Sequence, residues 1–232
     1  MAIFLDTGKI EDVEKFMRMG IIRGVTTNPT ILLRSGVVGG REAIKKRSIE
    51  IAELIKPYPL SVEVTTNDPA AMIEQGREFA QWAKNINVKI TVHGPGGELD
   101  NFEVVHRLET EYGIRVNMTA MMSAQQCLLG ALAGATYVSL FGGRVNNMGF
   151  NCIEEIKKAR KVIDDQKLAA KIIIGSTREV LNVIEWLEAG AHIVTVIPDI
   201  LKGMIVHPYS KETVQMFLDD AKKADLLLNK PS

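Results

Sequence analysis

Short apolar runs alternate with amphipathic stretches along the whole chain. The runs read as strands at Ile3–Leu5, Gly24–Thr26, Ser61–Val64, Val88–Thr91, Arg115–Thr119, Tyr137–Phe141, Lys171–Ile174 and Ile193–Val196. Between them, Ile10–Met19, Arg41–Ile55, Pro69–Ala83, Glu98–Tyr112, Ser123–Ala133, Asn151–Gln166 and Arg178–Ala189 place apolar residues at helical spacing. Gly20, Gly113, Gly134 and Gly190 fall near helix ends, where a left-handed cap favours glycine. Strands that are each followed by helical sequence predict an α/β fold, a single (β/α)8 TIM barrel spanning residues 1–232; a doubly wound sheet is the alternative. The tail, about residues 211–228, reads as one further amphipathic helix. Its apolar set (Val214, Met216, Phe217, Ala221, Leu226, Leu227) has to cover either the bottom of this barrel or a neighbouring subunit.

Composition narrows the classes of partner. Apolar residues make up 46% of the 232 and charged ones 24%, ordinary values for a globular protein. Twenty-eight basic side chains balance 28 acidic ones, so no nucleic-acid or membrane partner is expected. Cys127 and Cys152 are too few for a disulfide framework and lack zinc-ligand spacing; both should pack as small hydrophobes in a reducing, cytoplasmic setting. The opening Met1–Asp6 meets an acid too early for a signal peptide, and no apolar stretch reaches membrane-spanning length.

One strand stands out. Lys89 lies alone in Asn87-Val88-Lys89-Ile90-Thr91-Val92, which otherwise reads as a buried run. Such a lysine either reaches solvent at the strand end or sits in a pocket that disfavours its charge. The second case yields a free amine, the nucleophile that forms Schiff bases with carbonyl substrates. In a barrel the chemistry gathers at the C-terminal strand ends. Those ends carry Asp6; Thr26 with Asn28; Glu63; Lys89; Asn117 with Thr119; Ser139 with Phe141; and Ser176 with Arg178. Polar groups at seven strand ends, including one amine and two carboxylates, describe a Schiff-base site with acid/base and anion-binding groups around it.

Several segments resemble the transaldolase family: Leu5-Asp6-Thr7, Gly24-Val25-Thr26-Thr27-Asn28-Pro29-Thr30, Ser61-Val62-Glu63-Val64, Val88-Lys89-Ile90, Asn117-Met118-Thr119 and Ser139-Leu140-Phe141-Gly142-Gly143-Arg144. The likeness is to its short-chain branch, which includes the fructose-6-phosphate aldolases. It implies a barrel of the class I aldolase type, with no metal or organic cofactor. It also implies roles. Lys89 attacks the ketose carbonyl, Asp6 takes the C4 hydroxyl proton as the C3–C4 bond breaks, and Glu63 shuttles protons with a water held by Thr119. That bridging water would keep Lys89 and Glu63 from neutralising each other. Thr26, Asn28, Asn117 and Ser139 would contact the three-carbon unit, although Asn28 also suits turn chemistry before Pro29. Phe141 shapes the pocket, and Arg144, Ser176 and Arg178 match an anion site for a distal phosphate.

Glu63 stands where the aldolases carry Gln, and Phe141 where they carry a proton-donating Tyr. Both differences point to transfer to an aldehyde, such as glyceraldehyde 3-phosphate or erythrose 4-phosphate, over release of free dihydroxyacetone. The chain also departs from the family pattern. It has Ile90-Thr91-Val92-His93-Gly94-Pro95-Gly96-Gly97 where Ile/Val-Pro is usual, and Val145-Asn146-Asn147 where an acid follows Arg144; Ser123-Ala124-Gln125 replaces an Asn-containing turn. These changes fall where a sugar's distal group would lie, which leaves two donors open: fructose 6-phosphate and 6-deoxy-6-sulfofructose. A solvated loop position or a substrate contact would each suit His93. A simple aldolase or a non-catalytic sugar-phosphate-binding barrel are the competing functions. The tail helix and family habit suggest a homo-oligomer, a pentamer or decamer.

Overall fold

A computed structural model describes residues 2–228, with side chains described through 225. Eight parallel strands close into a barrel in chain order. They are β1 Ala2–Asp6, β2 Val25–Thr26, β3 Leu60–Glu63, β4 Ile86–Thr91, β5 Val116–Met121, β6 Tyr137–Phe141, β7 Lys171–Gly175 and β8 Ile193–Val196. Pairing of β1 with β8, from Ala2↔Ile193 to Leu5↔Val196, closes the ring and excludes the open sheet. The helices are α1 Ile10–Arg18, α2 Pro29–Arg34, α3 Gly40–Leu54, α4 Pro69–Trp82, α5 Asn101–Thr110, α6 Ala124–Leu132, α7 Gly142–Asn147, α8 Cys152–Asp165, α9 Val180–Glu188, α10 Pro198–Ile205 and α11 Pro208–Leu228.

The seven expected helices between strands all form, their ends within three residues of those expected, and side-chain caps set some of the starts. Ser123 and Asn151, for example, accept backbone N–H bonds at the starts of α6 and α8. The four end glycines adopt φ values of 68°, 63°, 99° and 109°. The pattern did not predict α2, α7 or α10. Each has eight residues or fewer, too short for a repeating apolar face, and α2 and α10 begin on Pro29 and Pro198.

Most of the apolar core lies outside the barrel. Leu5, Val25, Val62, Val88, Met118, Val138, Ile172 and Val194 point outward to pack with Phe16, Ile51, Phe79, Leu108, Ile156 and Trp186 of the helices. Each such burial contributes about 1.5–3 kcal/mol before entropy is counted. Inside, a small separate cluster of Phe4, Tyr137, Ile173 and Ile193 plugs the N-terminal end, and above it the lining turns polar. The strand bearing Lys89 is therefore not a continuous apolar run. Ile86, Val88 and Ile90 join the outer core, while Asn87 and Lys89, two residues apart, share the inner face with Thr91.

The tail helix α11 leaves the barrel. From Pro208 to Asp225 only Asp219 is even half-buried, and Val214, Met216, Phe217 and Leu218 are exposed. It does not cover the bottom of its own barrel; the side chains of Leu226 and Leu227 lie outside the described residues. Among the described residues no helix is long and apolar enough to cross a membrane. Both cysteines are free and buried, and burial pushes each thiol up to about 12, so they pack as hydrophobes.

The barrel plug has a tight point at Gly24. A Cβ there would lie 2.6 Å from the Phe4 ring. Gly24→Ala should therefore destabilise the fold by about 1–3 kcal/mol through overpacking, measured by denaturant unfolding; Phe4→Leu on the same background should recover part of the loss.

Candidate active site

At the C-terminal end of the barrel, Lys89 is almost wholly enclosed, 4% exposed. Its Nζ lies 3.2 Å from Glu63 Oε2 and donates to the Thr27 carbonyl at 3.0 Å. Register explains the meeting: Glu63 of β3 is level with Lys89 of β4, and Lys89 is level with Asn117 of β5. The ammonium and carboxylate touch directly, which corrects the expectation that a water separates them. Desolvation provides the reason, since a charge taken out of water needs a counter-charge within contact distance.

Asp6 supplies the second carboxyl of the site. Thr26 Oγ1 donates to Asp6 Oδ1 at 2.6 Å, and Thr195 Oγ1 lies 2.7 Å from Thr26 Oγ1. Because the Thr26 proton is committed to Asp6, Thr195 must be the donor in that second contact. Burial raises the Asp6 carboxyl above its ordinary value, with the Lys89 charge and the Thr26 hydrogen bond pulling it back and Glu63 pushing it up. Asp6, Glu63 and Lys89 thus form one electrostatic group.

Beside it runs a neutral chain. Ser139 Oγ donates to Asn117 Oδ1 at 2.6 Å, and Asn117 Nδ2 donates to Ser61 Oγ at 3.0 Å. These bonds fix the Asn117 amide and leave one N–H and one lone pair for a ligand. Thr119, on the same face of β5, is buried and its Oγ1 has no protein partner. One residue on, Ala120 takes φ 61° and the β5–β6 register shifts between Met118 and Met121. Such bulges re-aim side chains at barrel rims.

Three expected residues gather on one side of the rim. Gly143, in the first turn of α7, sits so close to the β7–α9 loop that a Cβ would run into the Ser176 carbonyl and approach Arg178 Cγ to 2.9 Å. Ser176 adopts φ 60°, and Arg178 is exposed. Arg144 follows Gly143, its guanidinium 5.1 Å from the centroid of the Phe141 ring. Arg144, Ser176 and Arg178 therefore crowd around one glycine beside Phe141.

Other expectations resolve differently. Asn28 Oδ1 accepts from Ile31 N at 2.8 Å and caps α2, so its oxygen is committed to the backbone. Asn146 Oδ1 accepts from Cys152 N at 3.0 Å at the start of α8 and is likewise a structural contact. His93 is exposed, and its Nδ1 pairs with the Gly94 carbonyl at 2.7 Å, fitting the loop-histidine reading. Ser61, Thr195 and the Thr27 carbonyl join the site without being among the expected residues. The first two carried a signal, because Ser61 shares the alternation of Glu63 and Thr195 is the polar residue within β8. Among the described residues no three His, Cys, Asp or Glu side chains cluster as a metal site.

Comparisons bear on this arrangement. The sequence profile of the Transaldolase/Fructose-6-phosphate aldolase family matches residues 3–230. A "Probable transaldolase" of Dehalococcoides mccartyi is 36% identical over 96% of this chain and 98% of its own length. One from Carboxydothermus hydrogenoformans is 38% identical over 95% and 97%, and one from Clostridium acetobutylicum 38% identical over 97% and 99%. Among solved structures, a thiamine phosphate pyrophosphorylase from Pyrococcus furiosus aligns with TM-score 0.59 and 11% identity over 84% of this chain and 85% of its own; at that identity it speaks for the barrel fold alone. By sequence along nearly its whole length, the chain belongs to the transaldolase/fructose-6-phosphate aldolase family.

Proposed function

We propose that this barrel is a Schiff-base transaldolase that moves a dihydroxyacetone unit from fructose 6-phosphate to an aldehyde. The observation that carries the reading is the buried Lys89 ammonium, 3.2 Å from the Glu63 carboxylate and coupled electrostatically to Asp6. An ammonium has no lone pair, so attack on a carbonyl requires a proton acceptor within reach, and Glu63 is that acceptor. The free amine adds to C2 of the ketose, and Glu63, with a water on Thr119, returns the proton as hydroxide leaves and the iminium forms.

The iminium then serves as an electron sink. Asp6 takes the C4 hydroxyl proton, the C3–C4 bond breaks, and its electron pair moves into the iminium to give an enamine and glyceraldehyde 3-phosphate. In the second half, the enamine carbon attacks an acceptor such as erythrose 4-phosphate, and Asp6 gives its proton to the new C4 oxygen. Asn117 and Ser139 hold the three-carbon unit against Lys89, and the Nδ2 of Asn28 is free to join them. Thr26 steers Asp6.

Arg144, Ser176 and Arg178 take the distal phosphate. Two guanidinium groups, Arg144 and Arg178, match a phosphate dianion better than a singly charged sulfonate; Asn146 commits only its Oδ1, to the Cys152 N–H, and does not separate the two. Phe141 cannot donate a proton to the enamine, which favours transfer over release. The exposed apolar face of α11 supports a homo-oligomer in which that helix docks on a neighbouring copy.

Lys89→Met should abolish turnover with the fold intact by circular dichroism; full retained activity would sink the proposal. Glu63→Gln should slow Schiff-base formation by about 10²–10⁴-fold, read by single-turnover kinetics. With fructose 6-phosphate alone, dihydroxyacetone should be released far more slowly than it is transferred when erythrose 4-phosphate is added; equal rates would indicate an aldolase. At matched conditions kcat/KM for fructose 6-phosphate should exceed that for 6-deoxy-6-sulfofructose.

Transfer should fall as pH drops through the raised Asp6 value, because only the ionised carboxylate accepts the C4 proton. Asp6→Asn should remove that acidic limb. A folded-state pKa raised above the unfolded one means stability is lost as pH climbs between the two. Asp6→Asn should therefore be more stable than the parent at pH 7 by chemical denaturation. Sedimentation should give an assembly larger than the monomer, and Phe217→Asp, at a position 61% exposed, should break it down.

A further inference from the structure

A cavity of about 260 Å³ opens at the end of the barrel opposite Lys89. Its lining comes from the beginnings of the strands: Phe4 of β1, Arg23 just before β2, Pro59 just before β3, Tyr137 and Lys171 opening β6 and β7, and His192 just before β8. Its volume lies just below the roughly 300–1,000 Å³ typical of small-molecule sites. None of the groups described in the reaction above reaches it.

The chemistry of the lining is one-sided. Arg23 and Lys171 are cations, Tyr137 and His192 have donors to offer, and no carboxylate takes part. Arg23 commits Nη1 to the Gly20 and Ile22 carbonyls at 2.7 and 2.9 Å, which holds the guanidinium in place and leaves its remaining donors. Its Cζ also lies 5.3 Å from the Tyr58 ring centroid. The His192 tautomer is fixed by the backbone: Ile172 N donates to His192 Nδ1 at 3.0 Å, so the neutral ring carries its proton on Nε2. Burial first, and then the Arg160 and Lys171 charges, hold His192 below the usual histidine range against the opposing pull of Asp164. That aspartate is itself paired with Arg160 at 2.6 Å. Arg115 adds positive potential at Tyr137. Phe4 and Pro59 supply the apolar wall.

We propose that this cavity is an anion site separate from the active site, taking a small phosphomonoester. The phosphate meets Arg23, Lys171 and the His192 Nε2–H, and the carbon skeleton lies against Phe4 and Pro59. Two cations match a dianion, whereas a monocarboxylate would leave one of them uncompensated. The ligand would tie together strand beginnings from β1, β2, β7 and β8, so its binding stabilises the barrel from below.

The test is titration of the intact 15N-labelled protein with inorganic phosphate, reading the ring nitrogens of His192, with sodium chloride at matched ionic strength as control. Phosphate should move the Nε2 resonance saturably where chloride does not. Lys171→Glu should weaken the response by about tenfold or more, without altering transaldolase kinetics measured in phosphate-free buffer. Lys171→Ala serves if the charge reversal impairs folding. Arg178→Ala, at the far end, should leave the His192 response intact. Absence of a saturable response, or one undiminished by both Lys171 variants, would overturn the proposal.

Discussion

A lysine ammonium sealed inside a β-barrel must be matched by opposite charge and hydrogen bonds, and much of this molecule can be traced to that requirement. Removing an ion from water costs several kcal/mol even after relaxation, and stranding one member of a buried pair costs about 3–5 kcal/mol. Lys89 meets the requirement with Glu63 at 3.2 Å and the Thr27 carbonyl at 3.0 Å. In the proposed reaction the carboxylate that stabilises the resting ammonium is also the group that takes its proton, so that one contact would serve both stability and chemistry.

The polar interior follows from that pair. A lining of Thr26, Ser61, Asn117, Ser139 and Thr195 supplies short hydrogen bonds that orient the amide and the second carboxylate. These side chains contribute little hydrophobic stabilisation, so cohesion falls to the outer layer between strands and helices and to the Phe4, Tyr137, Ile173 and Ile193 plug below. Among the described non-glycine residues, Ala120, Lys167 and Ser176 take left-handed backbone; Ala120 follows Thr119 and Ser176 lies in the loop beside Gly143, while Lys167 follows α8 at the other end of the barrel.

Much of this was legible in the amino-acid sequence. Period-two runs separated by helical stretches indicate the barrel, and polar residues at strand ends mark its functional face. Lys89 announces itself as a lysine inside an apolar strand. What the sequence could not carry was contact. Nothing local says that Glu63 and Lys89 are level across two strands, because register is fixed by the whole barrel. Reading the Lys89 strand as wholly apolar missed the alternation that turns Asn87 and Lys89 inward. Ser61 and Thr195 were readable by that same alternation, but neither ends a strand with an ionisable group. Asn28 and Asn146 look like ligands by position, yet each commits its Oδ1 to a backbone N–H at a helix start and keeps only its Nδ2 donors.

Reductive trapping tests the central claim most directly. Borohydride added to the protein with fructose 6-phosphate should convert the iminium to a stable secondary amine, and peptide mass spectrometry should place the added mass on Lys89. An adduct confined to that residue is the predicted result. Folded protein that yields none, or yields one on a surface lysine, would contradict the account.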